Sequence, residues 1–117
     1  MVEGNDKRRS ARVNYLLVVD VWSPVRPGHV CKGCITDVSG TGLGIEIVEE
    51  FPLGNEVMLN FTLPPRDFAF HGMSAEVVRS FKKGPNFTTG LRFLDLAPKQ
   101  AKMLKKAIRY LAKHPGG

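Results

Sequence analysis

Four apolar side chains, Val57, Leu59, Phe61 and Leu63, alternate with Glu56, Met58, Asn60 and Thr62. A period of two is what a β-strand with one buried face requires, and no helix can bury such a set together. The same alternation recurs in Tyr15, Leu17, Val19 and Val21, in Leu43, Ile45 and Ile47, in Met73, Ala75 and Val77, and in Phe87, Thr89, Leu91 and Phe93. A further strand is expected from about His29 to Thr36. Breaker segments separate these runs, among them Ser23-Pro24-Val25-Arg26-Pro27-Gly28, Pro64-Pro65-Arg66-Asp67 and Lys82-Lys83-Gly84-Pro85-Asn86. Six short strands joined in this way predict a mainly β fold, an antiparallel barrel or sandwich. A barrel is favoured because closure removes the exposed edges of so small a sheet.

The period changes once. Ala101, Leu104, Ile108 and Leu111 recur at three- and four-residue steps beside Met103 and Ala107, and Pro98 suits a first helical position. A C-terminal helix over about 98–113 is predicted, covering a barrel opening or lying against its wall. Residues 1–12 are charged and without periodicity, and predict a flexible basic N-terminal arm. Residues 13–117 form the barrel with its helix, in one domain, since 117 residues support one core.

Charge is unevenly placed in this chain of net charge +6. Lys99, Lys102, Lys105, Lys106, Arg109 and Lys113 lie on the predicted helix with no acid among them, so the excess cation is one helix. Such a helix is able to meet nucleic acid, an anionic membrane or an acidic partner, but the simpler expectation is a solvated face. The longest apolar stretch near the N-terminus, Tyr15 to Val19, is cut by Asp20 and is far shorter than a bilayer span. No small-residue cleavage pattern follows it, so a cytoplasmic chain is expected.

Cys31 and Cys34 form a CxxC, but on a strand they point to opposite faces and cannot chelate one ion together. No metal site is expected from them. The histidines His29, His71 and His114 are scattered, no nucleophile and base stand in an evident pair, and no phosphate-cradling GxxxxGK loop occurs. These absences argue against an enzyme.

Two motifs do carry chemistry. Arg8 and Arg12 read as RxxxR, with Arg9 between them, and Asp37, Ser39 and Gly42 read as DxSxxG at a turn between two strands. Guanidinium forks bind phosphate oxygens or the O6/N7 edge of guanine, and a carboxylate accepts from guanine N1–H and N2–H, so a guanine nucleotide suits both halves. The turn also has a purely structural reading, with Asp37 capping its own backbone and Gly40 and Gly42 supplying positive φ.

At these residues the chain resembles the PilZ domain family of bacterial cyclic di-GMP receptors. Beyond the motifs, the resemblance takes in the Gly90-Leu91-Arg92-Phe93 segment that ends the β region and the C-terminal helix. It implies a six-stranded split-barrel fold and a ligand site made of Arg8, Arg9, Arg12, Asp37, Ser39 and Gly42. It further implies a receptor without cofactor, whose arm closes on cyclic di-GMP and alters a surface read by an unidentified effector protein. Two alternatives stay open. One is a PilZ-like adaptor that works without nucleotide. The other is a small nucleic-acid-binding barrel, disfavoured because it needs aromatics interleaved with basic residues on one strand face, whereas Phe61, Phe87 and Phe93 fall in apolar alternation expected of a core.

Overall fold

The structure is a computed structural model that describes residues 10–114. It contains β1 (Ser10–Arg12), β2 (Val18–Trp22), β3 (Cys31–Ser39), β4 (Gly42–Ile47), β5 (Glu56–Leu63), β6 (Phe68–Lys83), β7 (Asn86–Phe93) and a helix, α1 (Pro98–Lys113). All pairings are antiparallel, in the order β3-β2-β5-β6-β7-β4, and β4 pairs back to β3. Six strands therefore close the barrel, as the turn spacing predicts.

The seventh strand was not anticipated. β1 continues the β3 edge where β2 leaves off, for β2 pairs with residues 31–34 of β3 and β1 with residues 37–39. Ser10–Arg12, expected in the arm, thus shift into the sheet. Burial explains the shift, because Ala11 is 7% exposed and stands opposite the fully buried Val38. Residues 1–9, the remainder of the expected arm, lie outside the described residues.

The alternating sets fill the interior. Val19, Val21, Ile45, Val57, Leu59, Leu63 and their partners belong to one buried cluster. Phe61 stacks on Phe70 with ring centroids 4.7 Å apart and lies 6.2 Å from Phe93. Those rings are core, which removes them from any base-stacking surface. α1 starts at Pro98, and the Gln100 side chain accepts from the Ala97 N–H at 2.9 Å, which satisfies one donor at the helix start. Its buried stripe, Leu104, Ala107, Ile108 and Leu111, joins the same cluster and packs against β1, β3 and β6.

Three register shifts interrupt the ladders, and two of them reset which charged side chains face outward. The β3–β4 register shifts between Ile35 and Asp37, and the β6–β7 register shifts between Val77 and Arg79. With strict alternation Asp37 would share the inward face of Ile35, and Arg79 that of Val77. Each bulge inserts one residue, Thr36 or Val78, and turns the following charged side chain outward.

Candidate functional site

The DxSxxG segment closes the β3–β4 hairpin, and its serine holds the turn. Ser39 Oγ accepts from the Gly42 N–H at 3.0 Å and the Thr41 N–H at 3.2 Å, an ST-type turn. The expected cap by Asp37 is not what forms; its Oδ1 accepts from the Thr36 hydroxyl at 3.1 Å instead. Gly40 and Gly42 do not adopt positive φ either. Gly42 is required for a different reason, since a Cβ there would stand 1.8 Å from the Leu91 carbonyl oxygen of β7.

Asp37 is free of backbone duty and lies in a row that crosses five strands. Register pairs Arg12 with Asp37, Asp37 with Gly44, Gly44 with Gly90, and Gly90 with Arg79. Gly44 and Gly90 add no side chain to a strip of backbone about 5 Å wide per strand, and both are buried by their neighbours. The carboxylate lies over one end of this strip, for a Cβ on Gly44 would be 1.9 Å from Asp37 Oδ1. A guanidinium lies over the other, for a Cβ on Gly90 would be 3.1 Å from Arg79 Nη2. Arg12 and Arg79 are exposed at the two ends. The row thus offers a carboxylate for N–H groups and guanidinium groups for oxygens.

Of the residues expected from sequence, Arg12 and Asp37 are brought together as register partners and Ser39 and Gly42 organise the adjoining turn. Arg8 and Arg9 lie outside the described residues. Gly44 and Arg79 were missed, although the closely spaced Gly42 and Gly44 on one strand were a signal. Gly90 is tightly packed and Arg92 is on the surface, where its guanidinium donates to Glu76.

The turn also borders a cavity of about 870 Å³ whose far wall is α1. Ser39 and Thr41 line one side, and Lys105, Arg109 and Lys113, spaced by one helical turn each, line the other. Among the described residues, none of these three cations is in salt-bridge reach of a carboxylate. A smaller cavity of about 530 Å³ borders β2 and β5 and contains none of the motif residues. The cations of α1 are exposed, as expected, yet half of them face the motif turn instead of open solvent alone.

The PilZ domain model matches residues 6–112. The chain belongs to the PilZ domain family. Solved PilZ structures agree on the fold. The PilZ domain of YcgR from Escherichia coli, described with c-di-GMP, aligns with a TM-score of 0.69 at 15% identity, covering 90% of this chain and 89% of that one. The Bacillus subtilis inhibitor of motility (MotI/DgrA) aligns with a TM-score of 0.73 at 16% identity over 93% of this chain and 53% of that one. The Borreliella burgdorferi PlzA protein in complex with c-di-GMP aligns at 0.53 and 13% identity, over 97% of this chain and 49% of that one. This PilZ chain therefore spans about half the length of the latter two proteins. No curated protein matches its sequence. Among the described residues, no helix is long and apolar enough to cross a membrane.

Proposed function

We propose that this PilZ domain is a non-enzymatic receptor for cyclic di-GMP, acting in the cytoplasm. One observation carries the reading: the bulge-directed Asp37 stands beside Arg12 in one cross-strand row, with Arg79 at the far end and only glycines between. Asp37 accepts from a guanine Watson–Crick edge, Arg12 donates to a phosphate or a guanine Hoogsteen edge, and Ser39 and Gly42 hold the turn under the ligand. Arg8 and Arg9 add guanidinium groups from the N-terminal segment. Arg79 donates to the second base or phosphate, and the α1 cations raise the local potential, which favours a dianion. The chemistry of the ligand named in the Escherichia coli and Borreliella burgdorferi structures matches this set.

Closure of the N-terminal segment over the ligand changes the surface beside β1, and a partner protein reads that change. Isothermal titration with cyclic di-GMP, GTP and a single-stranded oligonucleotide tests the reading. Saturable binding of cyclic di-GMP alone is expected, weakened by about 2 kcal/mol in Arg12→Ala and Asp37→Ala with unchanged circular dichroism. No binding would leave a nucleotide-independent adaptor, and preference for the oligonucleotide a nucleic-acid barrel.

A further inference from the structure

At the open end of the same β3–β4 hairpin, three side chains converge that the ligand site does not use. The ladder runs Ile35 to Ile45 and Gly33 to Ile47, so Cys31 falls opposite Glu49 one step beyond the last ladder pair. Ile35, Gly33 and Cys31 share the inward face, and His29 precedes Cys31 by the same two-residue step. Glu49 Oε1 accepts from Cys31 Sγ at 3.0 Å and contacts His29 Nε2 at 2.8 Å. One donor atom from each residue lies within 4.8 Å of the others.

We propose that His29, Cys31 and Glu49 form a binding site for a zinc-class divalent cation, with the fourth position open to solvent. Thiolate, imidazole and carboxylate together are the donor set of zinc and its neighbours, whereas magnesium and calcium select oxygen ligands alone. Bonds of about 2.0 to 2.3 Å around a tetrahedral ion place ligand atoms about 3.3 to 3.7 Å apart. The three side chains reach that spacing by opening the two contacts to Glu49 about half an ångström and bringing Sγ and Nε2, now within 4.8 Å, to the same distance, which two partly exposed rotamers and an exposed histidine permit. The ion replaces the protons that now join the groups. The Cys31 Sγ–H proton leaves to solvent, the His29 Nε2 proton passes through solvent to Nδ1, and Sγ and Glu49 Oε1 as anions and Nε2 of the neutral imidazole become the ligands.

The pairing of Cys31 and Cys34 dismissed on spacing stays dismissed, because Cys34 is exposed on the outer face beside Glu46. The cluster escaped sequence reasoning because Glu49 lies 18 residues from Cys31 and reaches it only through the hairpin register. Burial and Glu49 push the thiol up to about 11, which opposes metal uptake at low pH, while Arg26 acts in the opposite direction. Cobalt affinity should rise with pH, with one proton released per ion as long as the thiol is protonated.

The test is titration of tag-free, reduced protein with Co(II), followed by Zn(II). One equivalent of cobalt is expected to produce a thiolate-to-metal charge-transfer band that zinc displaces. Cys31→Ser removes the band, Cys34→Ser retains it, and His29→Ala and Glu49→Gln each weaken cobalt at least tenfold. Absence of a saturable band in the wild type, a band that survives Cys31→Ser, or one that disappears with Cys34→Ser would overturn the proposal. Circular dichroism of each variant separates loss of ligand from loss of fold. Cyclic di-GMP plays no part in this measurement, so its outcome is independent of the receptor reading.

Discussion

Replacing Gly44 with alanine separates the floor of the site from the scaffold of the barrel. The new Cβ would meet Asp37 Oδ1 at 1.9 Å, its Cγ at 2.9 Å and Thr36 Oγ1 at 3.1 Å. To restore an ordinary contact of about 3.4 Å the oxygen must retreat about 1.5 Å. A carboxylate can do so by rotating, at about 1 kcal/mol for the poorer rotamer and about 1 kcal/mol for the lost Thr36 hydrogen bond. Alanine in a strand returns about 0.5 to 1 kcal/mol relative to glycine. Stability should therefore fall by only about 1 kcal/mol, while the displaced carboxylate loses its place against a guanine edge, about 2 kcal/mol or thirtyfold in affinity. Gly42→Ala is the control. There the obstacle is the Leu91 carbonyl oxygen at 1.8 Å, which belongs to the backbone, so the β4–β7 pairing itself must yield. That variant should lose 3 kcal/mol or more by the overpacking rule, taken as about its upper range. Urea denaturation and isothermal titration of both variants measure the two effects. Wild-type affinity in a folded Gly44→Ala protein, or equal destabilisation by the two substitutions, would refute the reasoning.

Arg79→Ala, an exposed change, should leave stability within about 0.5 kcal/mol and weaken cyclic di-GMP by about 1 to 3 kcal/mol, read by the same two methods. Lys105→Glu with Arg109→Glu should lower nucleotide affinity and flatten its salt dependence, whereas Lys102→Glu with Lys106→Glu should change neither affinity nor, beyond about 0.5 kcal/mol, stability. Phe61→Ala removes a ring stacked between two others and should cost about 3 to 5 kcal/mol in urea denaturation. In metal-free protein the Cys31 thiol, raised from an ordinary 9.0 to about 11, favours the fold fully below about pH 9 and loses that contribution as pH rises through 11. Glu49 is held below its ordinary 4.5 by the Cys31 and His29 hydrogen bonds, so its contribution is present above that value and lost as pH falls through the depressed one. Alkylation of Cys31 in a Cys34→Ser protein should accordingly accelerate toward pH 11 instead of levelling near 9.

Strand identity was legible because each strand presents one face to a single interior, and burial enforces the alternation directly. The helix was legible for the same reason at a different period, down to Pro98 and Lys113. The row behind the proposed site was not. It depends on which residue opposes which, and on bulges at Thr36 and Val78 that invert the direction of Asp37 and Arg79. The duty assigned to Asp37 in the turn was taken over by Ser39, two residues on, since either side chain can cap the same backbone. β1 escaped notice because three residues are too few to display a period, and only contact with Val38 and α1 makes Ala11 part of the core.

The site row crosses the pairing of β4 with β7, strands separated by almost forty residues of chain. That pairing and the β3–β4 pairing close the barrel on itself. Asp37 and Gly44 come from one side of the closure, Gly90 and Arg79 from the other. A molecule lying along the row thus clasps the slowest-forming contact of the fold, because long-range pairings are the last to be repaid in loop entropy. Occupancy should show up far from the contacts themselves, as slower hydrogen exchange throughout β4 and β7. By linkage the whole barrel gains about 2.7 kcal/mol at a hundredfold excess over Kd.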